Sequence, residues 1–521
     1  MRYSCTLLAQ LGLLGAVQAA PRHDPQLGSR SSELPWVPFA PPLPPPPVTL
    51  PSRFPPLPGP QNPPPSVLDH SVEAALTALG RSPASLRQPG TVPYPNAPRG
   101  VDTLPGIKHI IYLMMENHSY DNMCGMLTRP DADGFELDRH GTPVGTQPGV
   151  NGTTQHWFES TSVCQTGDMV SQEWTDSHNQ WNNGSMDGAV VSPFTHTTAD
   201  ASGAFSMSYF TKKVLPFWFA LMELVPIADR WYCSTLCQTW PNREFSLAGT
   251  SRGVTQTGQN LTGIEWPQGT IFHLLDKYGI KWVMAWNGTD NTVGNTLQEF
   301  NGAITNQSMT EHIVDYGTFF EDTSKGNLPP FTYLDQRGAA TTMEPDKNMA
   351  VGEDLIYQVI KAVMEGPLWK GSIFILNFDE HGGLSDHAIP PPALAPDDVQ
   401  PIVNPGEFQY DGFHRMGLRV PALVLSPYGK RNYVSHTLYD HASVLAFMER
   451  KWNMEAMTYR DANANIFEDM IDWDAMVRGQ PTFPSFEELR LPLPALRVPG
   501  NDVLNCSNAL LNPPPGSVTG P

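Results

Sequence analysis

The pairs Glu116-Asn117 and Asp379-Glu380, with Thr239, are the residues of this chain whose types and neighbours point to chemistry. Glu116 and Asn117 come directly after Ile110, Ile111, Leu113, Met114 and Met115, an apolar block of the kind that forms a buried strand. A carboxylate and an amide oxygen where such a strand runs out can hold a hard cation at the carboxyl edge of a sheet, where open α/β folds bind ligands. The other reading is a helix cap, with Asn117 or Ser119 capping the next few residues. A second strand-like run, Ser372 to Phe378, ends in Asp379 and Glu380, then His381, Gly382 and Gly383. Adjacent carboxylates at a buried edge repel unless a cation neutralises them or one takes a proton. Glycines there let the backbone turn tightly and approach a ligand. A solvated turn is the alternative; two strands ending alike favour the metal.

The third group is the stretch Ser234 to Glu244. Pro241 suits the first turn of a helix, which puts Thr239 near free backbone N–H groups that attract an anion. A threonine hydroxyl is a poor nucleophile unless a metal lowers its pKa, and Asn242 and Arg243 could bond phosphate oxygens. A capping threonine is the plain alternative. His441 lies where a loop enters a helical pattern, and His178 and His387 sit in polar stretches; a lone histidine in such a place is more often structural.

Strand-like runs at His109 to Met115, Ile280 to Trp286, Ser372 to Phe378 and Val420 to Leu425 must position these groups. Helical patterns at Leu215 to Trp231, Gly269 to Tyr278, Asp354 to Glu365 and Ala442 to Trp452 alternate with them. The alternation predicts an α/β fold with a parallel sheet and helices on both faces. Asp131 to Ala204 and Gly383 to Met416 lack periodicity and read as long loops of the lid or binding kind. Residues 1–19 read as a secretory signal with a cleavage site at Val17-Gln18-Ala19, 20–95 as a proline-rich, disordered propeptide or linker, 96–491 as the catalytic domain and 492–521 as a tail. No apolar run is long enough for a membrane span. A net charge of −20 disfavours nucleic acid as a partner. Six sequons, at Asn151, Asn183, Asn260, Asn287, Asn306 and Asn505, fit a secreted or cell-wall protein, and Asn117-His118-Ser119 matches the pattern as a seventh. Of six cysteines, Cys5 leaves with the signal, and Cys124 with Cys164 and Cys233 with Cys237 are possible pairs.

The segments "ENHSYD" (116–121), "TWPNR" (239–243), "FDEHGG" (378–383), "RVPALVLSP" (419–427) and "YDHASVL" (439–445) together resemble the phosphoesterase family of bacterial phospholipases C, plant non-specific phospholipases C and related acid phosphatases. The resemblance runs from about Ile107 to about Trp452. It implies an alkaline-phosphatase-like fold and one divalent metal held by Glu116, Asn117, Asp379, Glu380 and Thr239. It also makes Thr239 the nucleophile, with His178, His381 and His441 lining the phosphate pocket. The oxygen donors suit calcium, magnesium or manganese over zinc. The implied activity is phospholipase C hydrolysis through a phosphothreonine, with His441 or His381 protonating the leaving group. An acid phosphatase or a degenerate binding protein is the alternative. The aromatic segment Phe205 to Trp218 and the loop Asp131 to Ala204 could meet a lipid surface transiently, or could be core. Two positions depart from the family pattern: His118 stands where an Arg is usual, and Gln172 where many members carry a His.

Overall fold

The computed structural model describes residues 69–165, 170–192, 203–286, 296–300, 307–336, 341–345, 347–410, 412–501, 503, 504, 506 and 512–520. The expected signal, most of the proline-rich stretch, and the sequons at Asn287, Asn306 and Asn505 lie outside these residues.

An eight-stranded sheet forms the centre. In chain order its strands are β1 (His109–Met115), β2 (Ile227–Ala228), β3 (Trp282–Trp286), β4 (Ile313–Val314), β5 (Phe331–Asp335), β6 (Ser372–Phe378), β7 (Ala422–Leu425) and β8 (Val434–Ser435). Across the sheet they run β8-β2-β7-β6-β1-β5-β3-β4. β1 pairs in parallel with both β6 and β5, and β7 alone runs against its neighbours. Every residue of β5 and β6 is buried, and all of β1 after His109. Successive side chains of a strand point to opposite faces, so both faces are covered and the fold is α/β.

The apolar runs expected at His109 to Met115 and Ser372 to Phe378 form strands with those same bounds, and Ala442–Trp452 is the expected helix. β5 lies outside the four strand-like runs, and Pro329 and Pro330 directly precede it. The long Asp131 to Ala204 loop contains the helix Trp174–Trp181. Its polar sequence hides a buried face of Trp174, His178 and Trp181. The aromatic side chains from Phe205 to Trp218 are core, with Phe210, Phe217 and Trp218 at most 1% exposed.

The folded region starts before residue 96 and continues past 491. The helix Asp69–Ala78 packs Val72, Ala75 and Leu76 against Leu86, Leu394 and Tyr459. Arg87 N–H donates to Asn463 Oδ1, and Gly90 N–H to the Ala456 carbonyl. At the other end Val518–Thr519 pairs with Thr154–His156, and Cys506 bonds to Cys164. The expected pairings of Cys124 with Cys164 and of Cys233 with Cys237 are thus corrected: Cys124, Cys233 and Cys237 are buried free thiols. The true partner lies 342 residues away in sequence, which spacing alone cannot reveal.

Glu353, on the helix Met349–Glu365, accepts from the backbone N–H of Trp218 (3.0 Å) and Ala495 (2.9 Å), tying two other segments to that helix. Burial raises its carboxyl to about 7 against the pull of those N–H groups. A carboxyl raised on folding contributes stability that is whole below its ordinary 4.5 and is lost as pH climbs through about 7. Glu353→Gln cannot ionise, so its thermal midpoint should gain on the wild type between about pH 5 and pH 8. A constant difference in calorimetry across that range would contradict this.

Candidate active site

Parallel pairing sets the site. Met115 of β1 lies opposite Phe378 of β6, and Met114 opposite Asp335 of β5. The residues next in the chain therefore leave the sheet at one edge: Glu116 and Asn117 from β1, Asp379 and Glu380 from β6, with Asp335 ending β5. Asn117 has a positive φ of 67°, and its backbone N–H donates to Asp379 Oδ1 at 3.0 Å. Gly382, at φ 65°, packs so tightly here that a Cβ would lie 2.1 Å from the Asn117 carbonyl oxygen. Only glycine permits that approach. The cap reading belongs to Ser119, whose side chain accepts from Asn122 N–H at the start of Tyr120–Cys124. Asn117 is left to face the acids.

Thr239 opens the helix Thr239–Ala248, and Gln238 at the cap position makes no side-chain capping bond. Thr239 is therefore not a capping threonine. Its Oγ1 lies 3.4 Å from Asn117 Oδ1. Arg243 comes one turn later on the same face. It is fully buried and donates to Asp379 Oδ2 (3.0 Å), Asp335 Oδ1 (3.3 Å) and Glu116 Oε1 (3.4 Å). It stands behind the acids and holds them, so the expected phosphate contact is corrected. Burial works against the Arg243 charge, and Asp379, Glu116 and Asp335 overcome it, keeping the group protonated. Asn242 is also reassigned: its Oδ1 accepts from Thr235 N–H, and its Nδ2 donates to the carbonyls of Thr235, Cys237 and Gln238. It shapes the turn that delivers Thr239.

The three histidines part company. His441 Nε2 donates to the Asp379 carbonyl at 2.6 Å, while Nδ1 accepts from Asn377 Nδ2 at 2.8 Å. With both nitrogens engaged and burial lowering it to about 3, His441 is a neutral clamp on the Asp379 backbone rather than a proton donor. His178 stacks on Phe408 and touches Trp174, Trp181 and Tyr410, with Nδ1 donating to the Trp174 carbonyl. These contacts are aromatic and backbone, not the acids. His381 is fully buried, and neither ring nitrogen makes a hydrogen bond; Nδ1 lies 3.2 Å from Glu380 Oε2. Burial lowers it to about 4.

The acids want a cation beyond Arg243. Burial raises Asp379 to about 7 against Arg243, with Glu116 and Glu380 pushing the same way. Glu380 is raised well above its ordinary value, first by burial. The Asn117 amide atom facing them, placed as Oδ1, lies 2.8 Å from Glu380 Oε1 and 3.0 Å from Asp379 Oδ1. An amide oxygen against two carboxylate oxygens is repulsive unless a cation lies among them or the amide turns over. These donors fit a hard divalent ion. Elsewhere, Asp121, Asp386 and His387 can offer three ligand atoms within 4.8 Å of one another. Arg419 already donates to Asp386 Oδ1 (2.9 Å) and Asp121 Oδ1 (3.1 Å). Burial opposes the His387 charge, but Asp121 and Asp133 overcome it and raise it to about 10. That group is an ion-pair knot with its own cations.

A family model described as the Phosphoesterase family matches residues 107–455. The chain belongs to this family. Non-specific phospholipase C5 of Arabidopsis thaliana is 27% identical over 72% of this chain and 75% of its own length. Phospholipase C B of Mycobacterium tuberculosis (strain H37Rv) is 26% identical over 74% and 81%. The protein is a hydrolase acting on phosphoric ester bonds. Among solved structures, a protein in the alkaline phosphatase superfamily from Vibrio parahaemolyticus matches with 13% identity and a TM-score of 0.30, over 48% of this chain and 64% of that one. A likeness at that score adds nothing to what the sheet itself shows.

Within this phosphoesterase, the departure at 118 is structural: His118 bonds Asn122 Oδ1 (2.8 Å) and the Met343 carbonyl (2.6 Å) in full burial. The departure at 172 is not remote, since Gln172 Oε1 accepts from Asn117 Nδ2 at 3.3 Å. Sequence reading misses Asp335, which bonds Arg243, and Thr342, whose Oγ1 donates to Glu116 Oε2 at 2.8 Å. Asp335 carried one readable signal, an acid ending a short apolar run as Glu116 and Asp379 do. Thr342 carried none.

Proposed function

We propose that this phosphoesterase is an exported phospholipase C in which Thr239 is the nucleophile. The observation that carries the reading is the convergence of the Thr239 hydroxyl, the Asn117 amide and the Asp379 and Glu380 carboxylates from three separate chain segments. Thr239 oxygen attacks phosphorus, the bond to the lipid alcohol breaks, and a phosphothreonine remains for water to hydrolyse. The Thr239 proton passes to the acid cluster on the far side of Asn117. His381, whose ring nitrogens make no hydrogen bond and whose Nδ1 lies 3.2 Å from Glu380 Oε2, takes up that proton beside the phosphate charge and delivers it to the leaving alkoxide. Arg243 and His441 keep the acids in place. Asn117, Asp379, Glu380 and Thr239, with Glu116 beside them, would hold one divalent cation, calcium, magnesium or manganese, whose chemistry is to acidify the hydroxyl and offset charge on the phosphoryl oxygens.

Relatives named as phospholipases C support a phospholipid substrate. The Cys164–Cys506 disulfide and the exposed sequons at Asn151, Asn183 and Asn260 support export. Among the described residues no helix is long and apolar enough to cross a membrane. Parallel assays on phosphatidylcholine vesicles and an aryl phosphate test the reading. Chelator-sensitive release of diacylglycerol is expected. Phosphate release from the aryl ester alone would make the protein a phosphomonoesterase, and no hydrolysis of either would leave a binding protein.

A further inference from the structure

Gln172 is only 5% exposed, and its backbone is held in place. Ser177 Oγ donates to its carbonyl at 3.1 Å. Gly383 presses on the preceding residues so closely that a Cβ would lie 2.6 Å from the Ser171 carbonyl oxygen. From this anchored segment the Gln172 amide reaches the outer side of Asn117. The outward Asn117 amide atom lies 3.3 Å from Gln172 Oε1 and 3.1 Å from Gln172 Nε2. The inward atom lies 2.8 Å from Glu380 Oε1 and 3.0 Å from Asp379 Oδ1. Asn117 is thus an amide with acids on one side and a second amide on the other. With its oxygen inward, its Nδ2 donates to Gln172. Turned over, it donates to the acids and accepts from Gln172.

We propose that Gln172 is a positioning residue that sets which way Asn117 faces, and through it the affinity of the site for a divalent cation. The inference rests on the cation-site reading above. Cation binding needs the Asn117 oxygen inward and its N–H groups outward. Without Gln172 those outward N–H groups are buried and unpaired, whereas the turned-over form leaves only a carbonyl oxygen unpaired. Orphaned buried N–H groups are the costlier of the two. Removing the partner therefore penalises the bound orientation more than the free one.

Calorimetric titration of the full chain with Mn²⁺ and with Ca²⁺ tests this. Gln172→Met, similar in size and without hydrogen bonds, should bind each ion about 10-fold more weakly, the scale for losing a group that orients a ligand. Its metal-free thermal midpoint should stay close to the wild type. Gln172→Glu, which in its ionised form accepts and does not donate, should bind at least as tightly as the wild type at a pH where it is ionised, and it keeps the test open if the Met variant fails to fold. Wild-type affinity in Gln172→Met, or weakened affinity in Gln172→Glu, overturns the proposal. A wild-type protein that binds neither ion removes the cation site itself.

Discussion

Thr239→Ala should cost at least about 10⁴ in turnover on any phosphoester, the scale on which hydrolases lose activity with their nucleophile. The fold should survive it. Thr239 begins its helix without capping it, and its hydroxyl contact is a single long one to Asn117 at 3.4 Å. Alanine is a good helix former, so the stability change should stay within about 1 kcal/mol. Thr239→Ser retains a primary hydroxyl at the same place and should keep measurable turnover. The comparison separates a chemical role from a packing role, because both variants remove the same methyl group. Rapid-quench experiments on the wild type should show label from a phosphorus-labelled substrate on the protein, and none on the alanine variant. Near-normal turnover by Thr239→Ala would take Thr239 out of the mechanism.

Arg243→Met should be the most destabilising single change near the site. The guanidinium is fully buried and shared by Asp379, Glu116 and Asp335. Taking away one partner of a buried ion pair leaves uncompensated charge, at about 3–5 kcal/mol. Methionine fills much of the space, so the loss measured by denaturant unfolding is chiefly electrostatic. Its pH dependence has a definite sign. Arg243 holds the Asp379 carboxyl down, and burial already raises that carboxyl to about 7. Without Arg243 it rises further, so the protonated acid is tolerated at low pH and the penalty grows as pH rises through neutrality. The deficit against wild type should be smaller at about pH 5 than at about pH 8. A uniform deficit would show that Arg243 acts through packing alone.

The parts of this protein that could be read along the chain are those set by local pattern. β1 and β6 appear with their expected bounds because a strand buried on both faces must be apolar at successive positions. The acids after them stand out because they break that run abruptly. Family membership was legible for the same reason, since its marks are short motifs at strand and helix ends. The packing of 69–99 and of the C-terminal segment could not be read, because proline and glycine content hides contacts made with residues hundreds of positions away.

What a side chain points at was decided by the fold. Arg243 and Asn242 are residue types that suit a phosphate, and nothing local says that one faces the back of the acids and the other its own turn. His441 and His381 are equally plausible proton carriers in sequence. The helix entry that places His441 under the Asp379 carbonyl occupies both its nitrogens, while the turn at Gly382 leaves those of His381 without a hydrogen bond. Residue order along the chain determined which chemical groups this protein owns and which ends of which elements carry them. Parallel strand pairing and helix docking decided which of those groups meet, because hydrogen-bond partners and burial are properties of three-dimensional neighbours.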